Sequence, residues 1–260
     1  MARYDFRSPR LYVEADLKAS ATVTLEAPQA HYLRTVLRLK EGDAVLAFNG
    51  RDGEWRATLA AGKRGALKLE AQARPQTAPL DLHYLFAPLK HERLDYMVQK
   101  AVELGVSHLM PVLTRHTQVA RVNLSRMRAN AREAAEQCGI LSLPEIVEPL
   151  TLARALAKRK PERLLVFCDE DADVKDPVAA LATGRPRPEA TLPLTMTAAF
   201  EAQPLALLVG PEGGFSEDER AALLKLPNIV RLSLGPRILR ADTAAVAALS
   251  LVQAVLGDWR

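Results

Sequence analysis

Leu208-Val209-Gly210-Pro211-Glu212-Gly213-Gly214-Phe215 and Leu232-Ser233-Leu234-Gly235-Pro236-Arg237-Ile238-Leu239-Arg240-Ala241-Asp242-Thr243-Ala244 are the two stretches that decide the fold. Each follows a short apolar run and precedes a helical pattern. That order places a glycine-proline loop at the carboxyl end of a strand in an α/β sheet, where ligand crevices form. One such loop reads as a tight turn. Two, carrying Glu212, Arg240, Asp242 and Thr243 between them, read as a site. Neither has the GK[ST] of a phosphate-cradling P-loop or the GxGxxG of a dinucleotide fold. Their glycines let a ligand approach the backbone and their prolines stiffen the turns. A flat heterocycle can be read by such backbone groups, with Leu234, Ile238 and Leu239 as apolar walls. Arg240 and Asp242 stand at the start of an alanine-rich helix, where Asp242 also suits the helix dipole.

Outward from these loops, the chain from residue 80 alternates strand with helix. Apolar runs at 82–87, 109–113, 164–168, 205–209 and 229–234 read as strands. Residues 92–104, 123–138, 151–158, 217–226 and 241–256 read as helices, with Ser216 and Glu219 forming a capping box. This alternation predicts a mostly parallel sheet covered on both faces. Residues 1–74 have another rhythm: five short strands, hairpin signals at Asn49-Gly50 and Asp52-Gly53, and one helix over 29–37 predict a small β-barrel. Residues 74–79 read as a linker. Two domains follow, 1–74 and 80–260, with a Pro-, Thr- and Ala-rich insertion at 184–204.

Composition narrows the class. Nearly half of the 260 residues are apolar and a quarter charged, as in globular proteins. No run reaches the ~18 apolar residues of a transmembrane helix, and the polar, basic start is no secretory signal. Cys138 and Cys168 have no metal-ligand spacing and the five histidines form no HExxH or HxH pattern. No metal site and a reducing, cytoplasmic setting are expected. Cys138 reads as a buried small hydrophobe. Residues 1–74 carry 13 Lys+Arg against 9 Asp+Glu, whereas the remainder is balanced at 22 of each. The excess is a modest footprint for a polyanion.

The two loops resemble the cofactor-binding motifs of SPOUT-class methyltransferases, and in particular the RsmE family of 16S rRNA (uracil-N3)-methyltransferases. The resemblance extends through Gln99-Lys100-Ala101-Val102-Glu103-Leu104-Gly105-Val106, Arg115-His116-Thr117 and Glu133-Ala134-Ala135-Glu136-Gln137-Cys138-Gly139. His31-Tyr32-Leu33-Arg34-Thr35-Val36-Leu37-Arg38 resembles the PUA-like RNA-binding barrel of that family. It implies an α/β SPOUT domain with a trefoil knot, preceded by a small PUA-like β-barrel. It also implies S-adenosylmethionine (SAM) as methyl donor, a homodimer, and N3 of uracil 1498 in 16S rRNA of the small ribosomal subunit as target. Residues implied to line the cofactor are Leu208, Gly210, Pro211, Glu212, Gly213, Gly214, Leu232, Leu234, Gly235, Ile238, Leu239 and Thr243. The family usually has Glu where Asp242 stands, and often Arg where Ile140 stands.

Uracil N3 is a poor nucleophile until its proton is removed or the resulting anion stabilised, so the protein's task is positioning and electrostatics. Arg240 is the candidate for stabilising the uracil oxygens, and Asp242 or Glu212 the candidate base or orienter. A base must leave its stack to enter a pocket, with phosphate contacts expected from Arg7, Arg10, Arg34, Arg38 and Arg115. Two other readings fit the residues: an RNA-binding ribosome-assembly factor without activity, and a SPOUT methyltransferase acting on another RNA site.

Overall fold

The computed structural model describes residues 8–62, 65–119, 121–185 and 203–259. Arg7 and all but the ends of the 184–204 stretch lie outside the described residues. Two compact units result, Met1–Ala78 with Arg132–Leu143, and Pro79–Ala131 with Pro144–Arg260.

In the first unit, β1 (Arg10–Tyr12), β2 (Thr22–Thr24), β3 (Ala44–Phe48), β4 (Glu54–Ala60) and β5 (Ala66–Arg74) form one sheet in the order β1-β3-β4-β5-β2. The β1–β3 pair is parallel and the others antiparallel. The period-2 rule shows along β5, where Leu67 and Leu69 are buried while Lys68 and Glu70 face solvent. They join Val45, Ala47, Ala57 and Leu59 in one core. The expected single helix is instead α1 (Ala27–His31) running into a wider π turn over Tyr32–Val36. Leu37 N–H closes that turn on Tyr32 O at 2.9 Å, and Leu33 is fully buried against the sheet.

The centre of this unit is an ion cluster that corrects one sequence expectation. Arg10, expected on a phosphate, is only 7% exposed. Its Nε donates to Glu54 Oε1 at 2.6 Å, and its guanidinium lies 4.3 Å from the centre of the Phe48 ring. The remaining donors meet the carbonyls of Ala135, Glu136 and Ile140. The Ala135 and Glu136 carbonyls belong to the last turn of α3 (Leu124–Cys138) and Ile140 follows it; a helix end of this kind favours a cation. Arg74 donates to both Glu54 oxygens, from Nε to Oε2 at 2.8 Å and from Nη2 to Oε1 at 2.9 Å, and to the Gly139 carbonyl at 2.8 Å. Arg74, expected as the start of a linker, is therefore the last residue of a strand. Cys138, expected buried, is exposed.

The second unit holds a fully parallel sheet. Its strands are β6 (Leu82–Phe86), β7 (His108–Leu113), β8 (Glu145–Ile146), β9 (Leu150–Thr151), β10 (Leu164–Cys168), β11 (Leu205–Val209) and β12 (Ile229–Leu232). They run in the order β12-β10-β11-β6-β7-β8, with β9 beside β7. Every residue of β11 is buried, as a strand covered on both faces requires. Its helices are α2 (His91–Glu103), the first part of α3, α4 (Leu152–Lys158), α5 (Pro177–Ala182), α6 (Glu217–Leu224) and α7 (Ala241–Val255). α2 buries the stripe Leu94, Met97, Val98, Ala101, Val102, which follows the helical period, and packs on α7. Gly105 ends α2 at φ +77°, a conformation that favours glycine. There the buried Gln253 of α7 donates to the Leu104 carbonyl at 2.5 Å.

Candidate active site

The strand order reverses beside β6: the chain runs outward through β7 and β8, then crosses to β10, β11 and β12 on the other side. In such sheets ligands bind outside the carboxyl ends of the strands at the reversal. A cavity of ≈ 580 Å³ lies outside the carboxyl ends of β10, β11 and β12, walled by the segments that leave those strands. Gly210, Pro211, Glu212, Gly213 and Gly214 form one wall, and Leu232, Leu234, Gly235, Ile238 and Leu239 another. Two residues implied by the resemblance are not part of the wall: Leu208 is buried in the core beneath, where Val209 takes the lining position, and Thr243 is exposed, with Ala241 and Ala244 lining instead. Ile238 is fully exposed at the cavity mouth.

The loop after β11 is braced from outside. A Cβ on Gly210 would stand 2.5 Å from Cε2 of Phe215, whose ring packs edge-on against Phe167 at 5.1 Å. His116 donates from Nδ1 to the Gly213 and Gly214 carbonyls at 3.0 and 3.3 Å. α6 begins directly behind. Ser216 Oγ accepts from Glu219 N, and Glu219 Oε2 accepts from Ser216 N at 3.0 Å. Glu219 Oε1 also accepts from the Arg115 backbone at 2.8 Å. Glycine backbone, beside the Glu212 side chain, is thus what this loop offers to the cavity.

The third wall, Cys168-Asp169-Glu170-Asp171, is absent from the sequence reading. It shares with the other two an apolar run, here Leu164 to Cys168, but ends in acidic residues with no glycine-proline turn. Asp169 is buried and binds both Arg220 and Arg231, the latter from Nε at 2.8 Å. Arg220 also reaches Asp171. Burial and the Asp169 charge push the Cys168 thiol up to about 12, so it stays protonated and unreactive at neutral pH.

Of the candidate catalytic groups, Glu212 lines this cavity, whereas Arg240 and Asp242 flank the lining residues Leu239 and Ala241 in sequence without belonging to the wall. Glu212 pairs with Arg93 of α2. Arg240 is exposed at the N-cap of α7 without capping it by its side chain. Asp242 is half-buried, and its Oδ1 accepts from Thr243 N at 2.9 Å. Of the candidate RNA contacts, Arg38 and Arg115 are exposed, and Arg34 donates to the Ala60 carbonyl at 3.0 Å.

A second cluster of titratable groups sits at the opposite, amino ends of the strands. Parallel pairing sets His83 beside His108, their rings 3.9 Å apart. Donor atoms of Asp81, His83 and His108 lie within 4.8 Å of one another. Both Asp81 oxygens are already held by the Arg163 guanidinium at 2.7 and 2.8 Å.

Residues 76–253 match the model of an RNA methyltransferase domain, and residues 25–72 that of an RNA methyltransferase PUA domain. The chain is 30% identical over 247 residues to ribosomal RNA small subunit methyltransferase E of Rickettsia conorii, covering 94% of each protein. It is 33% identical over 251 residues to the Synechocystis protein of the same name, covering 95% of this chain and 78% of that one. Among solved structures, a methyltransferase of Legionella pneumophila in complex with SAM superposes with a TM-score of 0.75 at 26% identity, over 95% of this chain and 98% of that one.

Proposed function

This chain belongs to the RsmE family of RNA methyltransferases, and from that membership we propose that it methylates N3 of a uracil in 16S rRNA of the small ribosomal subunit, with SAM as donor. The observation that carries the reading is the cavity at the carboxyl ends of β10, β11 and β12. Its residues fit SAM. Glycine backbone faces the space where an adenine edge is to be read, Leu232, Leu234 and Leu239 supply apolar contact, and the exposed Glu170 brings negative charge towards a sulfonium cation. SAM, when bound, supplies an electrophilic methyl group.

The chain supplies the rest. Gly210–Gly214 and Leu232–Leu239 hold the donor by backbone and apolar contact. Arg240, unused by its helix, stabilises the uracil oxygens as the ring gains negative charge, and Asp242 or Glu212 receives or orients the N3 proton. Arg38 and Arg115 attract phosphates, so RNA affinity falls steeply with salt. By the same family membership the enzyme is a cytoplasmic homodimer whose SPOUT domain, 80–260, is threaded as a trefoil knot behind a PUA-like barrel, 1–74. Nucleoside mass spectrometry of 16S rRNA from a deletion strain tests the reading. Loss of 3-methyluridine is expected, and its persistence overturns the assignment. Calorimetry with SAM separates an enzyme from an RNA-binding assembly factor, which needs no such binding.

A further inference from the structure

Asp169 is a buried carboxylate with no part in the chemistry proposed above, its side chain 2% exposed. We infer that it is a positioning residue for the donor cavity: it fastens the three walls together and cancels two arginine charges behind them, so that a cation can enter. The inference rests on the methyltransferase reading and adds how the cavity admits a sulfonium. Three features carry it. First, Asp169 lines the cavity, whereas Arg220 and Arg231 do not. Its carboxylate holds both guanidiniums: Arg220 donates to Oδ1, and Arg231 donates to Oδ2 from Nε at 2.8 Å. Second, the two partners come from different elements. Arg220 belongs to α6, behind the Gly210–Gly214 loop, and Arg231 to β12, directly ahead of the wall formed by Leu232 to Leu239. Asp169 itself belongs to the third wall, and its N–H donates to the Leu232 carbonyl at 3.0 Å. One residue therefore ties all three walls. Third, the charges balance. Arg220 also pairs with Asp171, and Arg231 donates to the Asp171 carbonyl at 3.2 Å. The two aspartates offset the two arginines, which leaves the exposed Glu170 to set the sign of this wall.

Such a carboxylate acts in two ways that can be told apart. As a hydrogen-bond acceptor it fixes the walls, and its loss loosens the cavity for any ligand of the right shape. As a charge it shields the cavity from two guanidiniums. Without that charge one guanidinium stands uncompensated behind the wall and repels a sulfonium, since a partly buried charge is only partly screened. A ligand of the same shape with a neutral sulfur escapes this repulsion. SAM and S-adenosylhomocysteine (SAH) differ in the sulfonium methyl and its charge, so the ratio of their affinities reads the charge role alone.

The test uses the full-length protein and calorimetry with SAM and with SAH at low and high salt. Asp169→Asn keeps the size of the side chain and removes its charge. It is expected to weaken SAM about fivefold more than SAH at low salt, and that excess shrinks as salt rises. Arg231→Gln removes one of the two cations while Asp169 keeps Arg220. It is expected to move the SAM-to-SAH ratio the opposite way, and it carries the test should Asp169→Asn fail to fold. The double variant Asp169→Asn/Arg231→Gln returns the ratio towards wild type, although both affinities fall because a tie between walls is lost. Equal losses of SAM and SAH in Asp169→Asn, or a ratio unmoved by Arg231→Gln, overturn the charge role and leave Asp169 merely structural. A wild-type protein that binds both ligands while the variants keep its ratio overturns this inference alone. A wild-type protein that binds neither overturns the functional reading and this inference with it.

Discussion

Arg10 and Arg240 show what one residue type does in two settings. Arg10 is enclosed with Glu54, their side chains 4% and 2% exposed, and its remaining donors satisfy the end of a helix. Removing one member of a buried, hydrogen-bonded ion pair strands the other, so Arg10→Met should cost about 3–5 kcal/mol in urea unfolding. RNA-binding salt dependence measured on whatever protein folds should keep the wild-type slope. Arg240 is exposed and supports no structure around it. Arg240→Ala should leave Tm and SAM affinity near wild type while cutting turnover by about 100-fold; equal losses in turnover and SAM affinity would count against an anion-stabilising role. Gly210 answers a different question. A methyl group there collides with Phe215, which is itself locked on Phe167, so the loop must move rather than the ring. Gly210→Ala should weaken SAM binding about tenfold with little change in Tm, read by calorimetry and a thermal melt.

At the scale of elements, the capping box of α6 was legible in full, because Ser216 and Glu219 stand at the required spacing before an amphipathic run. Ser216→Ala should cost about 1 kcal/mol in denaturant unfolding. It should also loosen the Gly210–Gly214 loop directly ahead of it, read as faster amide exchange there. The long strands were legible for a similar reason: β10 and β11 are buried on both faces, so their apolar runs are unbroken. What escaped the sequence was short or held by distant partners. β8 and β9 have two residues each, too few to show a period, and α5 hides its one buried side chain, Leu181, in six residues. The end of β5 looked like a linker because Arg74 is held by Glu54 and Gly139, far away in sequence. Arg10 misled in the same way, since nothing near it in sequence announces that Glu54 waits to bury it. The third wall of the site, Asp169 to Asp171, did carry a signal, an apolar strand stopping at acidic residues, but it lacks the glycine-proline turn that drew attention to the other two.

Across the whole second unit, the parallel sheet divides labour between its two ends. Carboxyl ends open onto the cavity, while the amino ends carry the Asp81, His83, His108 and Arg163 cluster. That cluster makes stability depend on pH. Burial, with the charges of Arg163 and His108, lowers the His83 imidazole from 6.5 to about 4, against the opposing pull of Asp81. Burial works against ionisation of Asp81 too, but the hydrogen bonds and charge of Arg163 outweigh it and hold its carboxyl below the usual value. For both groups the unfolded chain binds protons more readily than the folded one as pH falls, so acidification favours unfolding. The His83 contribution is complete above its unfolded value near 6.5 and is lost progressively down to about 4. A gap of that size corresponds to about 3 kcal/mol at most. Urea unfolding at pH 7, 5.5 and 4 should show the wild-type protein losing stability over that window. His83→Gln, which cannot take up a proton there, should flatten it while leaving the steeper carboxylate limb at lower pH. SAM affinity at pH 7 should be unaffected by the same substitution, because the cluster and the cavity lie at opposite ends of the strands. A wild-type stability that stays level from pH 7 to 4, or a His83→Gln protein that keeps the wild-type slope, would show that His83 is not the group that titrates.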